Sequence, residues 1–288
     1  MSLRAVHTSV ATLAIAAILL RPAVATAQVK PPPPAQTIPP DTTVENAPDD
    51  TPLPIPPVPP RIAEGADYDH CLDMLDSDPS GADALAASMA AKGNGEAAEH
   101  CHALAQVELG NTADGATLLD KLASTSTAPS SFRAVVYGQA DQAWTMAGRP
   151  DQAFASASEA LKLLPDDPDL LIGHAIAAIA LQKYPDAADD LTQALDLDPK
   201  RADALILRAT AFRHLEKLDQ AQADIDKAFT LDPDNPDAFL ERGIIRQRRG
   251  DLPGARADWE KASDLAPDTP TGDLAQQNLA LLAAGPRQ

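Results

Sequence analysis

Pro165, Pro199, Pro233 and Pro267 stand 34 residues apart. This period constrains the fold more than any other feature of the chain. The words around it also repeat: ALDLDPKRADAL at 194–205 returns as AFTLDPDNPDAF at 228–239. A fixed period of roughly 20–50 residues marks a unit that cannot bury its apolar face alone and stacks on copies of itself. Alanine and leucine are abundant and aromatic residues make up only 3%. That mix predicts helical units.

Windows opened at Ala134, Pro168, Ala202 and Pro236 bring like residues into register. Position 20 is Ala153, Ala187, Ala221 and Ala255, and position 27 is Ala160, Ala194, Ala228 and Ala262. Position 4 is Tyr137, Leu171, Leu205 and Phe239. Position 24 is Ala157, Leu191, Ile225 and Trp259, and position 30 is Leu163, Leu197, Leu231 and Leu265. Each window reads as two helices joined at AGRP, QKYP, EKLD or RGDL. Small residues at positions 8, 20 and 27 let helices approach, and the larger ones at 4, 24 and 30 fill the space between. The closing proline ends the second helix because it lacks the donor that the next turn needs.

This pattern resembles the tetratricopeptide repeat, with four successive matches over residues 134–269. The resemblance implies an all-α fold, a right-handed solenoid of antiparallel helix pairs. Asp141 departs from it: a carboxylate stands at position 8, where the family carries a small residue, and a looser pairing of that window is expected. Degenerate repeats extend upstream over residues 67–133. There Ala103, Gly115, Leu119 and Leu122 take positions 8, 20, 24 and 27, and the loop STSTAPSS at 124–131 absorbs a four-residue slip. Within residues 270–288, GDLAQQNLALLAA reads as a solvating cap helix followed by a tail.

The first residues read as an address. Arg4 gives a positive start, residues 10–20 an apolar run, and Ala25-Thr26-Ala27 a cleavage signature before Gln28. Residues 1–27 are expected to be a signal peptide cut after Ala27, which exports the protein to a bacterial periplasm without stable membrane insertion. An uncleaved anchor is the competing reading, although the run is short of the roughly 20 residues that span a bilayer. Residues 28–66 hold KPPPPAQTIPP and PDDTPLPIPPVPPR. They predict a disordered, proline-rich linker, because proline fixes φ and has no amide donor. It serves as a spacer or as a PxxP-type ligand.

The net charge is −19, which repels phosphate backbones and excludes nucleic acid as an expected partner. Cys71 and Cys101 are the only cysteines. In an exported chain an even count predicts a disulfide, here pinning the N-terminal helices to the stack. The flanking His70, His100 and His102 raise a metal site as the alternative. Adjacent helical residues point about 100° apart, so each cluster offers one ion few ligands, and no metal is expected. No catalytic motif or cofactor signature is present, and the chain is expected not to be an enzyme.

The cations are unevenly placed: Arg208, Arg213, Lys217, Arg242, Arg246, Arg248 and Arg249 crowd the last two repeats. The family resemblance implies a concave groove lined by first-helix residues. Here these are Ile172 and Ile176, then Thr210, Arg213 and His214, then Leu240, Ile244, Gln247 and Arg248. Such a groove passes from apolar to basic and suits an extended protein or peptide segment with an acidic end. The plainer reading is a solvated helix face whose arginines offset nearby carboxylates. Asp190, Asp224 and Asp258 share position 23, and Arg208 and Arg242 share position 7, which predicts a repeated structural ion pair. The function expected is a non-enzymatic periplasmic scaffold for protein binding. An accessory subunit of envelope polysaccharide or cell-wall machinery is the alternative.

Overall fold

A computed structural model describes residues 65–284. The expected signal peptide, and all of the expected linker but its last two positions, lie outside the described residues. Thirteen helices follow one another among the described residues. The N-terminal four are α1 (Ala66–Met74), α2 (Pro79–Ala91), α3 (Gly95–Glu108) and α4 (Thr112–Thr125). Four pairs follow: α5 (Ser130–Met146) with α6 (Pro150–Leu163), α7 (Pro168–Ala180) with α8 (Tyr184–Leu197), α9 (Ala202–His214) with α10 (Leu218–Leu231), and α11 (Pro236–Arg248) with α12 (Leu252–Leu265). The last helix is α13 (Pro270–Ala284).

Each pair packs on itself and then on the next, so the array is a helical-repeat solenoid. Local chemistry sets the ends of the helices. The side chain of Asp167 accepts hydrogen bonds from the amides of Asp169 and Leu170 at the start of α7, and Asn235 does the same for Ala238 in α11. Leu163, Leu197, Leu231 and Leu265 are the last helical residues of the four second helices. The proline two residues beyond each cannot continue the ladder. Within the repeats the turn takes the left-handed backbone at position 15: φ is 67° at Gly148 and 84° at Gly250, but also 60° at Gln182 and 59° at Glu216. The last two carry side chains in a region that glycine enters at no steric cost.

The core follows the sequence pattern closely at positions 20, 24 and 27, whose residues are all buried. One rule was not anticipated. Positions 8 and 24 vary in size from one pair to the next: Ala175 with Leu191, Ala209 with Ile225, Gly243 with Trp259, and Asp141 with Ala157. A methyl group added at Gly243 would collide with the indole of Trp259, which is fully buried and donates from Nε1 to the Leu240 carbonyl at 3.2 Å.

Three expectations need correcting. The position-30 leucines do not all fill the interior, since Leu197 is 45% and Leu231 39% exposed. They close their helices where the chain leaves the stack. The four-residue slip is not absorbed in a loop. It becomes a further helical turn at the start of α5, which has 17 residues against 13 in α7, α9 and α11. Phe132 in that turn is buried and holds it. Finally, α13 is polar on its outer side only in its first half: Asp273, Gln276 and Gln277 are exposed there, but Leu281 further on is 56% exposed.

At the other end Cys71 and Cys101 form a disulfide that ties α1 to α3, with Cα atoms 6.2 Å apart. The Tyr68 hydroxyl donates to His100 Nδ1 at 2.6 Å, and His100 Nε2 donates to Gln139 Oε1 at 2.7 Å. This uses one ring nitrogen as acceptor and the other as donor, so the imidazole is neutral. Burial lowers its pKa, in the same direction. His102 turns away to Asp83, so the neighbouring histidines diverge.

Candidate partner-binding face

The first helices of successive repeats touch one another, α5 to α7, α7 to α9, α9 to α11 and α11 to α13. The second helices pack instead on the first helix that follows them, α6 on α7, α8 on α9 and α10 on α11. The first helices therefore form the inner layer of the array, and their free side is the candidate face.

Its floor is apolar. Ile172 and Ile206 are nearly buried at position 5, and Leu240 continues their column half-buried. Ile176 and Ile244 are half-buried at position 9. Thr210 stands between them and donates to the Ile206 carbonyl at 3.2 Å. Ile206 takes position 5 between Ile172 and Leu240 and belongs to this floor. Its 34-residue spacing from Ile172 and Leu240 is the signal that finds it. Gln247 and Arg248 are exposed at the end of α11.

Charge follows the plainer of the two sequence readings. Arg213 is buried, and its guanidinium meets both carboxylate oxygens of Glu241 on α11, at 2.5 and 3.2 Å. It is a strut between repeats and not an open cation. Arg248 reaches Glu216 at 2.5 Å, and Arg249 reaches Asp219 at 2.7 Å. Arg208 binds Asp224 through two nitrogens, while Arg242 and Arg246 converge on Asp258. Lys217 lies 5.6 Å from the Phe212 ring. Each arginine of the cluster thus has a carboxylate partner inside the chain. His214 stacks on Tyr184 with centroids 4.1 Å apart and rings 3° from parallel. Burial lowers its pKa to about 4, assisted by the charges of Arg213 and Arg248.

The position 7–23 pairs form a ladder that also includes an uncharged-capable rung. Arg208–Asp224 and Arg242–Asp258 are joined by His174–Asp190, with Nδ1 to Oδ2 at 2.7 Å. His174 Nε2 also lies 3.0 Å from Ser158 Oγ. Serine, imidazole and carboxylate in this order have the connectivity of a nucleophilic triad. The next rung explains them better: Thr192, Arg208 and Asp224 occupy the same three positions and make the same two contacts. The Ser158 hydroxyl donates to the Phe154 carbonyl at 2.6 Å in mid-helix, so its proton is directed away from the imidazole. The arrangement is a strut in which histidine stands for arginine.

The tetratricopeptide repeat family model matches residues 172–221 and 208–270. No curated protein matches the sequence. Among solved structures, YrrB, described as a tetratricopeptide repeat protein with an unusual peptide-binding site, is 18% identical with a TM-score of 0.50, covering 66% of this chain and 95% of its own. MamA is 16% identical with a TM-score of 0.49, covering 57% of this chain and 93% of its own. The likeness to YrrB is one of fold.

Proposed function

We propose, on the premise that this chain belongs to the tetratricopeptide repeat family, that it is a protein-interaction scaffold whose first-helix face takes up an extended, largely apolar protein segment. The observation that carries this is the apolar floor of Ile172, Ile206, Leu240, Ile176 and Ile244 on the inner layer. Burying such side chains against a partner is worth about 25 cal/mol per Å² of apolar surface before the costs of association. The peptide-binding site named for YrrB supports the same role by fold analogy. The pairing of Arg213, Arg246 and Arg248 within the chain gives an acidic partner little open charge to meet, so we favour an apolar segment over an acidic one. Export to the periplasm fits the N-terminal pattern and the buried disulfide, since disulfides persist in oxidising compartments.

The test is photocrosslinking in the native envelope with a probe replacing Gln247, and a control probe replacing Glu260 on α12. One dominant protein adduct from the Gln247 probe, lost in Ile176→Asp and Ile244→Asp, is expected. Adducts no stronger than the control's would overturn the groove reading and leave the polysaccharide-linked role as the better account. Arg213→Glu is unsuitable as a groove variant, because it would bury two facing carboxylates and unfold the α9–α11 contact.

A further inference from the structure

The joint between the first two full repeats differs from the others in the groups that hold it. At the two later rungs of the ladder the cation is arginine, charged at any pH the fold meets. At the first it is His174. The imidazole sits between Asp190 Oδ2 at 2.7 Å and Ser158 Oγ at 3.0 Å. A carboxylate only accepts. The single hydroxyl proton of Ser158 is already given to the Phe154 carbonyl, so that oxygen also accepts. His174 thereby bridges α6 and α8 at this joint. The Phe154 ring lies against it at 4.2 Å between centroids and carries Lys183 Nζ on its face at 3.6 Å.

One residue along α7, a second titratable group closes the same joint. Gly173 faces Asp141 of α5, and an added Cβ there would stand 2.5 Å from Oδ2. Asp141 is 4% exposed, and among the described residues its Oδ1 has no hydrogen-bond partner. The nearby carboxylate is Asp120 of α4, whose own oxygens are taken by Trp144 Nε1 and Ser156 Oγ, each at 2.7 Å. A buried carboxylate with an unpaired oxygen and beside a second carboxylate is costly as an anion. Burial first, and Asp120 second, raise the Asp141 pKa to about 7.

We propose that this joint is proton-operated: it is firm while Asp141 is a neutral acid, and it loosens as Asp141 loses its proton. The groups facing the joint are Asp190 from α8, Ser158 and Phe154 from α6, Asp120 from α4, and Lys183 from the α7–α8 turn. Arg208 of α9 forms the next rung, on Thr192 and Asp224. Deprotonation places an anion against the backbone of α7 at Gly173. Because α7 also carries Ile172 and Ile176, a change of pH moves the inner face from within the fold.

The test needs no partner, so its result is independent of whether the groove binds a segment. Thermal midpoints of the full chain are measured at pH 6.0 and pH 8.5 for the wild type and Asp141→Asn. Comparing the variant with the wild type at each pH cancels the titration of every other group. Asp141→Asn is expected to gain on the wild type by about 4 °C between pH 6.0 and 8.5. A difference that stays constant with pH overturns the proposal. Carbon NMR of the wild-type Asp141 carboxyl provides a second reading if the variant does not fold. The carboxyl is expected to be protonated at pH 6.0 and ionised at pH 8.5, and a carboxylate at pH 6.0 overturns the proposal as well.

Discussion

Trp259 fills the space that Gly243 leaves, and it has no volume to give back. Trp259→Ala opens a cavity at a fully buried site and is expected to cost about 3–5 kcal/mol, read as a lower urea midpoint with an unchanged slope. The neutral histidines act at the acid end. His214, with its pKa lowered to about 4 by burial and by Arg213 and Arg248, is unprotonated in the fold through the range where a free histidine charges. The stability it contributes is complete above the ordinary histidine pKa of about 6.5 and is lost as pH falls through it toward 4. His214→Phe keeps the stack on Tyr184 without a titrating nitrogen. Its unfolding midpoint in an acid titration is expected at lower pH than that of the wild type.

Among the elements, α1 is the shortest of the thirteen described, and the Cys71–Cys101 bond, the Tyr68–His100 hydrogen bond and the Lys92–Asp67 pair tether it. The disulfide closes a separation of 30 residues, for which a loss of about 3–4 kcal/mol on reduction is expected from chain entropy. Hydrogen exchange should show α1 and the start of α2 losing protection first, with α9 to α12 unchanged. Much of this was legible in the chain. The helix pairs, their turns, the closing prolines and the cysteine pair all leave marks at fixed spacing. The extra turn of α5 was not legible, because SSFR at 130–133 follows a proline and resembles a loop until Phe132 is seen in the core. Nor was the fate of Arg213. Its partner Glu241 lies 28 residues on, a distance set by how successive first helices lean together and not by the repeat period.

For the molecule as a whole, charge and recognition are separated. A net charge of −19 suggests a surface governed by electrostatics, yet Arg208, Arg213, Arg242, Arg246, Arg248 and Arg249 are spent within the fold and the inner floor is aliphatic. Partner affinity is therefore expected to change little between about 50 and 500 mM salt, whereas an interface built on several open ion pairs would weaken steeply. Titration calorimetry at the two salt concentrations with the crosslinked partner decides it. The variation in size at positions 8 and 24 has a consequence for how such a chain finds its structure. A sequence that says nearly the same thing every 34 residues invites a first helix to dock on the wrong second helix, since the outlines are alike. Here each pair is cut differently. Ala175 against Trp259 would be too full, and Gly243 against Leu191 would leave a void, so a misdocked pair is penalised at its centre by overpacking or by a cavity. The residues that break the repeat most visibly are thus the ones that tell its copies apart during folding.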